Sequence, residues 1–422
     1  MKEQDVLHMD DHDILQKNNG VHDARVWVFA ALALFVAAAI LGLLMRSYPL
    51  FDIAWPYRHL IHAHSHTALL GFGFTAAAGL LARQFLDNYL KGNSLKWILA
   101  INVLASVGMF IAFSVQGYGA VSIAFSTLHL VAAYWFCAFF LLKAKKNGQA
   151  LGYSIAKSAV LWQFVSTVGI WTLAPVSVRL GQSHWLYEGS IQFFLYFQFN
   201  GWLGMAAMAL LVSCLPRSSS RFWSVGLLNI GMPFGYFLNL YWVFGRGWML
   251  AVYALGMSLQ LVGMVWLLRG PKAGIVYVGD HGWAYRLLLL GALFSLAMRA
   301  LFQLLASMPW IAQAVGQGRN LVIGHIHLSM IGGVGMALVA VALAQGMLRP
   351  GRAMAWGSAL LIVGFVITEA VLFGQTWFIK AGVGFQKGMD LMLFAASMLF
   401  PLGIGGLAYS AWPHRGPKGR PA

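Results

Sequence analysis

Residues 26–46 read VWVFAALALFVAAAILGLLMR, an uncharged run closed by a single arginine. At 1.5 Å of rise per residue, a helix of this length crosses the ~30 Å hydrocarbon core of a bilayer. The same pattern fills the rest of the chain. Of 422 residues, 60% are hydrophobic and 9% charged, and mean hydropathy is +0.72. Soluble domains carry roughly 25% charged residues. An ordinary soluble enzyme and a disordered chain are both excluded.

Twelve spans are predicted, at 26–46, 58–82, 97–116, 119–142, 155–175, 189–215, 223–245, 247–268, 284–307, 320–346, 354–375 and 389–412. Their connections are short, so neighbours run antiparallel in a single all-α membrane bundle, with no second domain. No internal repeat strong enough to argue for an inverted-repeat transporter is visible. Residues 1–25 are read as a cytoplasmic polar tail, 26–412 as the membrane domain and 413–422 as a basic cytoplasmic tail. The first segment holds six of the twelve acids and lacks the basic start and apolar core of a signal peptide. Its His8, His12 and His22, with the run MDDHD, offer a weak metal site as the alternative to a plain solvated arm.

The chain carries 28 Lys and Arg against 12 Asp and Glu, a net charge of +16. The basic residues punctuate the apolar runs instead of clustering, which points to membrane lipid as partner and away from nucleic acid. With the N-terminus inside, the inner segments hold 20 of the 28 and the outer segments seven. The expected topology is therefore N-in and C-in, in a bacterial inner membrane, with even-numbered spans running inward. Cys137 and Cys214 lie in apolar runs without a CxxC, so c-type haem attachment and a cysteine zinc site are excluded.

Ionisable residues inside a membrane are costly and point to function. Two histidine clusters stand at one depth. Span 2 opens with YRHLIHAHSHTALLGFGF, carrying His59, His62, His64 and His66; span 10 opens with GRNLVIGHIHLSMIGG, carrying His325 and His327. A helix turns by about 100° per residue, so His325 and His327 project to nearly opposite sides. His59, His62 and His66 share a face, and His64 points away. His66 lies roughly 12 Å and His327 roughly 11 Å below the start of its span. That match of depth predicts His66 and His327 as axial ligands of one b-type haem, with His62 a turn shallower. Arg58 and Arg319 precede the clusters at the outer boundary, placed to pair with haem propionates or to snorkel. Glycines follow both clusters and let helices approach closely.

Twelve spans, a histidine in the second and a His-x-His in the tenth resemble subunit I of the haem–copper oxidase superfamily, which includes the terminal oxidases and nitric oxide reductases. The stretch HTALLGF after Arg58 is similar to the family's second helix, whose histidine binds the low-spin haem. GHIH resembles the tenth-helix signature, above all that of C-type oxidases. The resemblance implies one or two haems b, with His66 and His327 holding the low-spin iron and His325 the high-spin iron. It further implies an oxidoreductase of the respiratory chain, a quinol or cytochrome electron donor, a small gas ligand, and accessory subunits that the sequence does not identify.

The family also binds copper or non-haem iron through one histidine on the sixth span and two on the seventh. Span 7, WSVGLLNIGMPFGYFLNLYWVF, has no histidine, and span 6 has His184 only near its outer mouth. The amides Gln192, Gln198 and Asn200 do not replace three imidazoles. The expectation is a b-type haem protein without a copper site, for electron transfer or for binding or reducing O2 or NO. The alternatives are a haem- and copper-containing NO-response membrane protein, or a secondary transporter with a histidine proton or metal site. Of the remaining polar residues, His129 is expected as an interhelical hydrogen-bonding group or third haem contact. Arg299 and Glu369 are expected to pair, and Glu188 with His184 to line the outer mouth.

Overall fold

The computed structural model describes residues 11–147, 150–214, 221–268, 282–380 and 386–413, with side chains from residue 24 onward apart from 268 and 377–380. The histidines of the N-terminal segment, the basic tail beyond 413 and the loop residues Arg217, Arg269 and Lys272 thus lie outside the described residues or side chains. Every described element is a helix. Eleven helices are long and apolar enough to cross a membrane. They are Ala24–Ser47, Tyr57–Phe85, Asn93–Gln116, Ala120–Lys143, Ala150–Arg179, Trp185–Ser213, Gly247–Leu267, Gly282–Leu305, Arg319–Ala344, Arg352–Thr376 and Gln386–Ala411.

Span 7 departs from the expected continuous helix. It consists of Phe222–Phe234 and Phe237–Phe244, joined by a turn at Gly235 and Tyr236. Pro233 lacks an amide hydrogen and its ring obstructs the preceding turn, so the break has a local cause. Neighbours occupy the carbonyls near it: Tyr196 donates to Met232 O at 3.0 Å and Gln260 Nε2 to Gly231 O at 3.1 Å.

Spans 2, 6 and 10 form the centre. Their most apolar windows are 78–83% buried, against at most 56% for any other span. Their inner halves pack on one another, and the other helices surround them. Each central helix widens into a π-helical segment midway: Thr67–Gly73, Phe197–Gly204 and Leu328–Gly335. The segments follow His66, Tyr196 and His327, at intervals of about 130 residues, and His66, Tyr196 and His327 each have a glycine five positions later. The wide turn and its glycine thus recur in three central helices four spans apart.

The wide turn is rare outside functional positions and leaves the ladder of backbone bonds stretched. Neighbouring helices compensate. Asn102 on span 3 donates to Leu70 O at 3.3 Å and to Thr75 Oγ1 at 2.9 Å. Glycine is required at Gly201 and Gly332, where a Cβ would stand 2.6 Å from Trp162 and 2.3 Å from Ser295 Oγ. In lipid, where apolar burial gives little drive between helices, such close backbone approach supplies the contact that holds them.

Candidate functional site

The N-terminal halves of the three central helices pack less on one another, and polar side chains fill three separate regions between them and the surrounding helices. His62, His64, His66, His325 and His327 are enclosed by the bundle, yet each keeps accessible surface, so they line internal space instead of packing as core.

The first region lies between spans 1, 2, 10 and 11. His64 Nδ1 donates to Ala38 O on span 1 at 2.8 Å, which leaves Nε2 as the lone-pair nitrogen. Gly42 makes room for that ring: a Cβ there would lie 3.1 Å from His64 Cε1. His327 on span 10 has Arg46 and His64 within electrostatic reach. Its Nδ1 is 4.0 Å from Glu369 Oε1, too far for a hydrogen bond. Neither that nitrogen nor either Glu369 oxygen has a partner. Arg46 also lies within electrostatic reach of Glu369, Arg319 and Asp390.

The second region lies between spans 2, 3 and 4. His66 Nδ1 donates to His62 O one turn back, at 2.9 Å. Its ring stacks at a tilt on Phe113, 4.2 Å between centroids, and the Tyr118 hydroxyl lies 3.4 Å from Nε2. His62 meets the Tyr118 ring edge-on at 4.6 Å. Deeper in, the buried His129 binds Asn102 Oδ1 through Nδ1 at 2.6 Å, while its Nε2 has no partner.

The third region lies between spans 6, 7, 8, 9 and 10. Arg299 Nη2 donates to Asn200 Oδ1, which also accepts from Gln303 Nε2 at 3.0 Å. His325 is on this side of span 10, with Arg299 as its charged neighbour.

His64 bonds to span 1, while His66 packs on Phe113 of span 3 and lies near Tyr118 on the other side of span 2. One expectation needs correction. Arg299 and Glu369 do not pair: the guanidinium donates to Asn200 Oδ1, and neither Glu369 oxygen has a hydrogen-bond partner among the described residues. Sequence reasoning also missed Arg46, counted there as an orientation charge. Its signal was the i, i+4, i+8 stripe Ala38, Gly42, Arg46 on one face of span 1.

The remaining candidates sit at the N-terminal ends of spans 2, 6 and 10. Arg319 Nη2 donates to Tyr57 OH at 2.8 Å and lies over that ring, while Arg58 is exposed. His184 caps the start of span 6 by accepting from Leu186 N at 3.3 Å, and Glu188 accepts from Gln192 Nε2 at 2.8 Å. Both cysteines are free. Among the described residues no group of three or more His, Cys, Asp or Glu is arranged to hold a metal ion. No protein-family model matches the chain, and a search of curated proteins finds no match to its sequence.

Proposed function

We propose that this chain is a twelve-span, N-in and C-in b-type haem protein of a bacterial inner membrane, with span 7 crossing as a broken helix. On this reading it resembles haem–copper oxidase subunit I and serves electron transfer or the binding of a diatomic gas. The observation that carries the reading is the facing pair His64 and His327. They come from two central helices, look into one enclosed space, and His64 already has its Nδ1 fixed by a carbonyl, as iron-ligating imidazoles do.

The residues fit a haem there. His64 and His327 would hold its iron, and Arg46, with Arg319 within electrostatic reach, would supply positive charge for the propionates. His325, on the opposite side of span 10, would hold a second haem. Such a group would supply one-electron chemistry at iron and a place for O2 or NO. The chain's own contribution is to exclude water, fix the His64 tautomer and set a cation beside the first site. His66, tied to His62 and near Tyr118, is left as a hydrogen-bonding group in the second region.

The broken span 7 favours a second reading, a secondary transporter with a histidine site. Against it, the carbonyls of Gly231 and Met232 are occupied by Gln260 and Tyr196 and are not free to bind cargo. The visible spectrum of protein purified after growth with ample haem separates the two. A Soret band with a pyridine haemochrome of b type is expected. A colourless, folded protein would sink the haem reading and leave the transporter.

A further inference from the structure

Arg299 is 8% exposed, on span 9 and within two turns of its outer end. A guanidinium stays charged in any protein setting and carries five N–H donors. Burying it inside a membrane bundle without a counter-charge is expensive. Among the described residues no carboxylate lies within ion-pair distance of it. Its one hydrogen-bond partner there is the Asn200 amide oxygen, already shared with Gln303. The nearest hydroxyls, Tyr196 and Tyr253, give their protons to Met232 O and, at 2.6 Å, to Gln303 O, and their oxygens are neutral. Among the described residues the surroundings thus offer neutral oxygens to the guanidinium and no negative charge.

The guanidinium lines a cavity between spans 6, 7, 8 and 9, together with Asn200, Gln260, Gln303 and several methionines and leucines. Gly204 opens the wall for it, since a Cβ there would stand 3.2 Å from Arg299 Nη1. The space admits only a few non-hydrogen atoms, too few for a lipid headgroup or quinone. Its mostly apolar lining suits a weakly hydrated ion. We propose that this cavity is a binding site for a small monovalent anion of halide, nitrite or formate size, held by Arg299 with Gln303 beside it.

The test is equilibrium binding of radiolabelled chloride to the full-length protein in detergent and chloride-free gluconate buffer. The same measurement on His325→Ala, which removes the proposed second haem, should leave chloride binding unchanged; its loss there would place the ion on iron and overturn the proposal. Saturable binding of one chloride per chain is expected, displaced by nitrite and formate but not by sulfate. Arg299→Gln should weaken it roughly tenfold or more, the worth of a hydrogen bond to a charged group. Gln303→Leu, which keeps the cation, should weaken it by about threefold to tenfold. Absence of saturable binding overturns the proposal, as does equal displacement by sulfate or wild-type affinity in Arg299→Gln. If Arg299→Gln does not fold, unchanged affinity in Gln303→Leu overturns it.

Discussion

Span 10 carries two histidines two residues apart, and they look into unlike surroundings. His327 faces an imidazole, a carboxyl and the Arg46 cation across an enclosed space. His325 has the Arg299 cation within electrostatic reach. One helical step of about 200° is enough to move a ligand between them, because the helix is a wall and not merely a support. The comparison teaches that a His-x-His motif on a central helix builds two sites with different electrostatics, and that each site is defined by the helices it faces.

The strongest way to break this comparison is to remove the facing pair. His64→Ala and His327→Ala should each abolish a six-coordinate b-haem spectrum. Loss of a direct ligand should exceed the roughly 10–100-fold cost of losing an outer-shell partner. His66→Ala should leave the spectrum in place. The opposite pattern, loss with His66→Ala and retention with His64→Ala, would show that span 2 is rotated otherwise.

His325→Ala sharpens the contrast. It should remove the component that binds carbon monoxide in the reduced protein while sparing the low-spin bands. If His325→Ala and His327→Ala strip the same single haem, the two sides of span 10 do not hold separate sites.

Two smaller effects concern the walls. Gly332→Ala should destabilise the bundle by about 1–3 kcal/mol, since its Cβ collides with Ser295; thermal unfolding followed by size exclusion in detergent measures this. Glu369→Leu removes a carboxyl whose oxygens have no partner. It should raise thermal stability by about 1–3 kcal/mol in protein without cofactor. Unchanged or lower stability would mean that the carboxyl is satisfied in solution, which would weaken the picture of His327's side as polar and unpaired.

Much of this was readable in the chain. The apolar run at 26–46 and those after it specified helices of membrane length, because the bilayer fixes the required length and the backbone must satisfy itself within each segment. The two histidine clusters, their common depth and the opposed directions of His325 and His327 follow from helical periodicity alone. The proposed partnership of His64 with His327 was not readable. Periodicity fixes angles within one helix but not the rotation of one helix against another, which the contacts at Gly42, Gly201 and Gly332 help set. Arg46 was hidden for a related reason: an arginine at a helix end reads as an interfacial anchor until its neighbours are known.

The break in span 7 had a local signal in Pro233 and Gly235. The π-helical turns of spans 2, 6 and 10 had almost none, because one inserted residue costs little in sequence and is stabilised by neighbours such as Asn102. The sequence by itself therefore determined the helices, their lengths and which residues are chemically able to act. The tertiary structure alone decided which of those residues share a space. Rotation and spacing between helices are set by summed close contacts among small side chains, and no local pattern encodes that sum.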